Sequence, residues 1–124
     1  MLPVTSLVAA GAAIALIALS ISVSLQRMKA GVGLGFGDNA ALMRRIRAQG
    51  NFIEYVPLAL ILLGLAEYRD ASTALLWSIA GLLAAGRILH FIGIMTGKTA
   101  IRAPGMLGTY GALLLGAGTL LFMS

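Results

Sequence analysis

The chain has 124 residues, 60% of them hydrophobic and 10% charged, with a formal net charge of +5 and no cysteine. A mean hydropathy of +0.98 is too high for a soluble globular domain of this size or for a disordered chain. The missing cysteine excludes disulfides, zinc-thiolate sites, iron–sulfur clusters and a cysteine nucleophile.

No charge occurs from Met1 through Gln26. The apolar run at residues 4–25 is long enough to cross a bilayer, which takes about 20 residues. The competing reading, a cleaved signal peptide, wants a basic start and an apolar stretch of about 7–15 residues. This chain starts Met1-Leu2-Pro3 and its run is longer. A polar, glycine-rich loop follows at 27–44, with Gly31, Gly33, Gly35 and Gly37 before Asp38-Asn39. Residues 55–66 are apolar but too short to span alone. The helix reaches spanning length only by starting near Arg45, which draws Arg47 and Glu54 into its first turns. Pro57 should bend that helix or free a carbonyl.

Glu67-Tyr68-Arg69-Asp70 marks a tight turn at 67–72. The third apolar run, 71–86, continues past Arg87 and His90 to about Thr96. A connection at 97–103 leads into a last uncharged stretch, 103–124. The expected fold is all-α and integral to the membrane: one domain, 1–124, with four helices at about 4–26, 45–67, 72–96 and 104–123 in a bundle.

With four spans, both termini share one side with the 67–72 turn, and the other two connections share the opposite side. Arg27, Lys29, Arg44, Arg45, Lys98 and Arg102 belong to those two connections or their edges, whereas only Arg69 lies opposite. Basic loops stay cytoplasmic, so the termini should face away from the cytosol. This arrangement also accounts for the positive charge without nucleic acid, because the bases lie between apolar runs.

Charged groups inside membrane helices are expensive and mark function or a paired structural role. Arg47, Asn51 and Glu54 on the second helix share a face, as do Arg87 and His90 on the third. Glu54 lies about 10 Å along the axis from Arg47, and His90 about 9 Å from Thr96, at roughly 1.5 Å per residue. All five converge at one depth near the cytoplasmic end, with Lys98 and Arg102 bordering it. A blander reading has Arg47 snorkelling to headgroups and Glu54 pairing with Arg87 to join two helices. The combination of bases, one acid, an amide, an imidazole and Tyr55 at one level instead favours a polar site between helices that awaits an anionic ligand.

Other signals are weaker. The glycines of 31–37 and Gly97-Lys98-Thr99 resemble pieces of phosphate loops, yet lack the spacing and the parallel-sheet unit such loops need. Gly93 and Gly97, and in part Gly108 and Gly111, fit small-residue helix packing. The six methionines are scattered and read as core filling. One histidine without further ligands makes no metal site.

The run Arg47-Ala48-Gln49-Gly50-Asn51-Phe52-Ile53-Glu54-Tyr55-Val56-Pro57, continuing through 58–67, resembles the second-helix signature of the MAPEG family. These are the membrane-associated proteins in eicosanoid and glutathione metabolism. Arg87-Ile88-Leu89-His90-Phe91-Ile92-Gly93 and Arg102-Ala103-Pro104 are also similar to the family, and the resemblance covers nearly the whole chain. The short length points to its bacterial type, in the inner membrane.

The resemblance implies a homotrimer holding glutathione between neighbouring subunits, open to the cytosol. It implies that Arg47 binds a glutathione carboxylate, Asn51 hydrogen-bonds, Glu54 accepts the γ-glutamyl ammonium, and Tyr55 and Gln49 contact the tripeptide. Arg27 would reach the glycyl carboxylate from the adjacent subunit, and His90 would line the pocket beside Arg87. The chain departs from its relatives at Gly50, where one branch has arginine, and at Ile94, where several have tyrosine. The thiol-activating arginine is not fixed to one column: Arg102 is the nearest candidate, and another branch places it at the position of Met106.

The function implied is a glutathione transferase, with peroxidase activity as an extension, acting on lipophilic electrophiles that arrive from membrane lipid. Arginines and one carboxylate complement a tripeptide with two carboxylates and an ammonium. An arginine beside the thiol favours its ionised form. The alternatives are a non-catalytic lipid- or glutathione-binding scaffold on the same fold, and a four-helix multidrug exporter. The exporter class wants an acid in the first span, where residues 4–25 have none.

Overall fold

A computed structural model describes residues 1–123, so Ser124, the last of the uncharged stretch, lies outside the described residues. The chain forms four helices: α1 (Pro3–Ala30), α2 (Ala40–Tyr68), α3 (Thr73–Thr96) and α4 (Thr99–Phe122). All four are long and apolar enough to cross a membrane. The fold is an all-α arrangement of four candidate spans.

The helices run longer than their apolar cores, and local capping explains the extensions of α1 and α2. α1 continues past residue 26 to Gly31, whose φ of 71° suits a left-handed cap and whose N–H bonds the Arg27 carbonyl at 2.8 Å. Arg27 and Lys29 in that last turn suit the negative end of the helix dipole. α2 begins five residues before Arg45, because Asn39 caps it by accepting from the Leu42 N–H at 2.8 Å. The 27–44 loop thus shrinks to 31–39. Ser72 caps α3 through the Leu75 N–H, and Gly97, with φ 74°, closes it. α4 starts at Thr99, ahead of the expected 104, with Pro104 inside the helix. The third connection is therefore only Gly97 and Lys98, and Arg102 is a helical residue.

α2 packs against all three other helices, while α1 leans on α2 and scarcely meets α3. Val56, Ala59, Leu63, Ile79 and Leu83 are buried at the centre. The α3–α4 seam is the tightest contact. A Cβ added at Gly86 would stand 2.7 Å from the Thr109 backbone nitrogen, and one at Gly105 would stand on the His90 backbone. Only glycine at these crossings lets the backbones come so close, which maximises dispersion where lipid supplies no hydrophobic drive. Of the glycines singled out by spacing, Gly93 packs on the Arg102 backbone, whereas Gly97 is a cap.

Polar contacts tie down the end that holds the termini. Both Glu67 carboxylate oxygens accept from the start of α1, from Val4 N–H at 2.9 Å and Thr5 N–H at 2.8 Å. Pro3 and Leu2 give α1 no side-chain cap of its own, so Glu67 fills that role from α2. Arg69 donates to the Leu120 and Met123 carbonyls at 3.1 and 3.0 Å, satisfying the end of α4.

Candidate functional site

A cavity of about 600 Å³ opens between α2, α3 and α4. Arg47, Asn51, Glu54 and Tyr55 enter it from α2, His90 from α3, and Arg102 from α4. Its volume is in the range of small-molecule sites. On α2 the spacings of four and three repeat one face. The Gly93 and Gly105 crossings hold α3 and α4 so close that His90 and Arg102 reach the same space.

Arg87 stands behind this cavity and organises two of its walls. One guanidinium nitrogen donates to Asn51 Oδ1 at 2.6 Å, and another meets His90 Nδ1 at 3.4 Å. The guanidinium carbon lies 5.8 Å from the Phe52 ring centroid. Arginine has no acceptor, so the Asn51 atom it meets is the oxygen, and the Asn51 amide N–H groups are left for other partners. By the same logic His90 Nδ1 accepts, which puts the proton of the neutral ring on Nε2. The blander pairing of Arg87 with Glu54 is not the contact made: Arg87 turns to the Asn51 amide.

Three of the expected binding residues do not line the cavity: Arg87, which stands behind it, Gln49 and Arg27. Gln49 Nε2 donates to Ser20 Oγ on α1 at 2.8 Å. A spacing of two residues from Arg47 carries Gln49 to the opposite side of α2. Arg27 donates to the Gly35 carbonyl at 2.6 Å and braces the glycine-rich loop, so within a single chain it serves that loop.

Tyr110, Met106, Gly50, Ile46 and Ile94 line the cavity as well. The Tyr55 and Tyr110 rings meet edge to face, 5.8 Å apart with 69° between their planes. Sequence reasoning missed Tyr110 because it placed Arg102 in a loop. Once α4 starts at Thr99, Arg102, Met106 and Tyr110 fall four apart on one helical face.

The lining is therefore rich in donors (two arginines, two phenols, an amide with its oxygen taken, an imidazole) around one carboxylate, Glu54. Such a set holds an anion with more than one acidic group and admits one cation at Glu54. Among the described residues, no group of three or more His, Cys, Asp or Glu side chains is placed to hold a metal ion.

Comparison with known proteins gives a coherent result. The model of the MAPEG family matches residues 5–122. Inner membrane protein YecN of Escherichia coli strain K12 is 35% identical over 82 residues, covering 64% of this chain and 63% of that protein. The protein of the same name in Escherichia coli O6:H1 strain CFT073 matches to the same extent. The match thus spans less than two thirds of the length of these curated relatives. Four candidate spans and an inner membrane relative make this a multi-pass integral membrane protein.

Proposed function

The chain belongs to the MAPEG family, and on that premise we propose that it is a membrane-bound glutathione transferase. It would conjugate glutathione thiolate to lipophilic electrophiles, or reduce them with it, at the cytoplasmic side of the bilayer. The observation that carries this reading is the donor-rich cavity with Glu54 as its one lining carboxylate. Glutathione offers the matching pattern of two carboxylates, one ammonium and a thiol.

In this reading Arg47 pairs with a carboxylate, Glu54 takes the ammonium, and Asn51, Tyr55 and the His90 Nε2–H supply hydrogen bonds. Arg87 acts through Asn51 and His90, whose orientations it fixes. Gln49 contributes by pinning α1 to α2 through Ser20. Arg102 stands beside the thiol, whose reference pKa is near 8.5. A neighbouring cation at a partly dehydrated site stabilises the thiolate, and a shift of one to two units corresponds to about 1.4–2.7 kcal/mol. The sulfur lone pair then forms the bond to the electrophilic carbon while the leaving group departs with its electron pair. The electrophile reaches the sulfur laterally from the lipid.

Arg47 and Glu54 are exposed on the single chain at a depth where lipid would surround them. A homotrimer, in which a neighbouring copy covers this face and brings its own Arg27, removes that cost. The basic residues gather at the end opposite Glu67 and Arg69, so the termini face away from the cytosol.

Isothermal calorimetry with glutathione on the purified protein tests the reading. Arg47→Ala and Glu54→Ala are expected to weaken binding at least tenfold. Arg102→Ala is expected to keep binding while losing thiolate ultraviolet absorbance and turnover. Absence of any glutathione binding by the wild type overturns the reading. Binding without turnover favours a scaffold on the same fold.

A further inference from the structure

The run Gly31-Val32-Gly33-Leu34-Gly35-Phe36-Gly37, between α1 and α2, alternates glycine with an apolar residue and holds no polar side chain. A loop that stands in water is ordinarily polar. Val32 is tucked inward, since a Cβ on Gly37 would lie 3.7 Å from its Cγ2. Leu34 and Phe36 are left outside, 91% and 43% exposed. Gly35 and Gly37, with φ of 66° and 55°, bend the chain on either side of Phe36.

The backbone of this loop is prepared for a setting poorer in water. Arg27 donates to the Gly35 carbonyl at 2.6 Å and to the Val32 carbonyl at 3.5 Å, which folds the loop back beside the last turn of α1. A carbonyl covered in this way needs no water, whereas a bare one is costly at a membrane. Helix length sets the level of the loop. At roughly 1.5 Å per residue, the 28 residues of α1 measure about 42 Å, the thickness of a bilayer with its headgroups. The loop therefore meets the headgroup layer rather than bulk water. Lys29 and Arg44, on the helix ends that flank it, are exposed, and the loop itself carries one acid, Asp38. The lipid that fits such a surplus of bases is anionic.

We propose that the 31–37 loop is an interfacial hook, in which Leu34 and Phe36 enter the bilayer surface and Lys29 draws anionic phospholipid headgroups beside them. The hook fastens the loop end of α1, a helix that leans on α2 and scarcely meets α3. It works without glutathione and does not depend on transferase chemistry.

Trp77 is the one tryptophan of the chain, so Trp77→Phe combined with Phe36→Trp puts a single fluorophore in the loop. In nanodiscs its emission is expected to be quenched by phospholipid brominated high on the acyl chain and to resist aqueous iodide. Brominated phosphatidylglycerol should quench at about a fivefold lower mole fraction than brominated phosphatidylcholine, the attraction that one base near an anionic surface provides. Adding Lys29→Gln should remove most of that preference. Adding Arg27→Gln should unbrace the loop and make the emission sensitive to iodide. If circular dichroism shows that the Trp77→Phe background does not fold, a nitroxide on Leu34→Cys reads the same depth from its collisions with oxygen and with an aqueous nickel chelate. Quenching by iodide without quenching by bromolipid overturns the proposal. So does indifference to both quenchers, or a disulfide between two copies of Leu34→Cys, since either would place protein against the loop. Equal quenching by the two lipids overturns the role given to Lys29.

Discussion

Gly105→Ala examines the seam on which the site depends. An alanine Cβ at this position would stand on the His90 backbone and 2.8 Å from the Gly86 carbonyl oxygen, where ordinary contact begins at 3.4 Å. The Gly86 contact alone asks α3 and α4 to part by about 0.6 Å, and the His90 backbone, nearer still, asks for more. The obstacle is backbone, which cannot rotate aside. Overpacking of this kind costs about 1–3 kcal/mol, offset by up to about 1 kcal/mol from alanine's better helix propensity. A net loss of about 1–2 kcal/mol follows. Titration with sodium dodecyl sulfate from mixed micelles, followed by circular dichroism, measures it. Gly118→Ala is the control, because a Cβ there meets nothing within 4 Å. Glutathione affinity should also fall in Gly105→Ala, since His90 moves away from Arg102. A Gly105→Ala protein as stable as wild type, or an equal loss in Gly118→Ala, would refute the close-approach argument.

Other outcomes follow from the same contacts. Glu67→Ala removes the acceptor for two N–H groups of α1 and should cost about 2 kcal/mol in the same titration, with glutathione affinity unchanged in the folded fraction. Asn51→Asp preserves an acceptor for Arg87 and should keep stability, yet calorimetry should show weaker glutathione binding because a second negative charge enters the cavity. Asn51→Leu should lose both, about 1–3 kcal/mol of stability and the affinity, by leaving Arg87 without that partner. Gly50→Leu adds bulk where a Cβ finds open space, so the protein should fold normally while glutathione titration shows little heat.

Much of this molecule can be read in its residues because the bilayer imposes a simple rule: uncharged runs of spanning length become helices. α3 is the clearest case, expected at 72–96 and found at Thr73–Thr96. The helix starts were harder, because Asn39 and Lys98 lie in polar stretches that hydropathy alone marks as loop. That one misreading at Thr99 hid Tyr110, which needs the register of α4 to be seen beside Arg102. Arg47, Asn51, Glu54, Tyr55 and His90 share the cavity that their spacing suggested. The partners of Arg87 and Gln49 were not legible, because composition does not tell which helix a long side chain will turn toward. The tight pair of Gly86 and Gly105 was equally invisible, since close approach is a property of two helices at once.

The contacts of Glu67 and Arg69 carry an order of assembly. A chain threaded into the bilayer one segment at a time leaves the amides of its first helix dependent on water or headgroups. Their acceptor arrives with the last turn of α2, so the opening hairpin can latch itself as soon as it is in place. The neighbouring guanidinium, two positions on, has nothing to grasp until the fourth segment has crossed and offered its final carbonyls. One short bend thus fastens the first crossing early and the last crossing late.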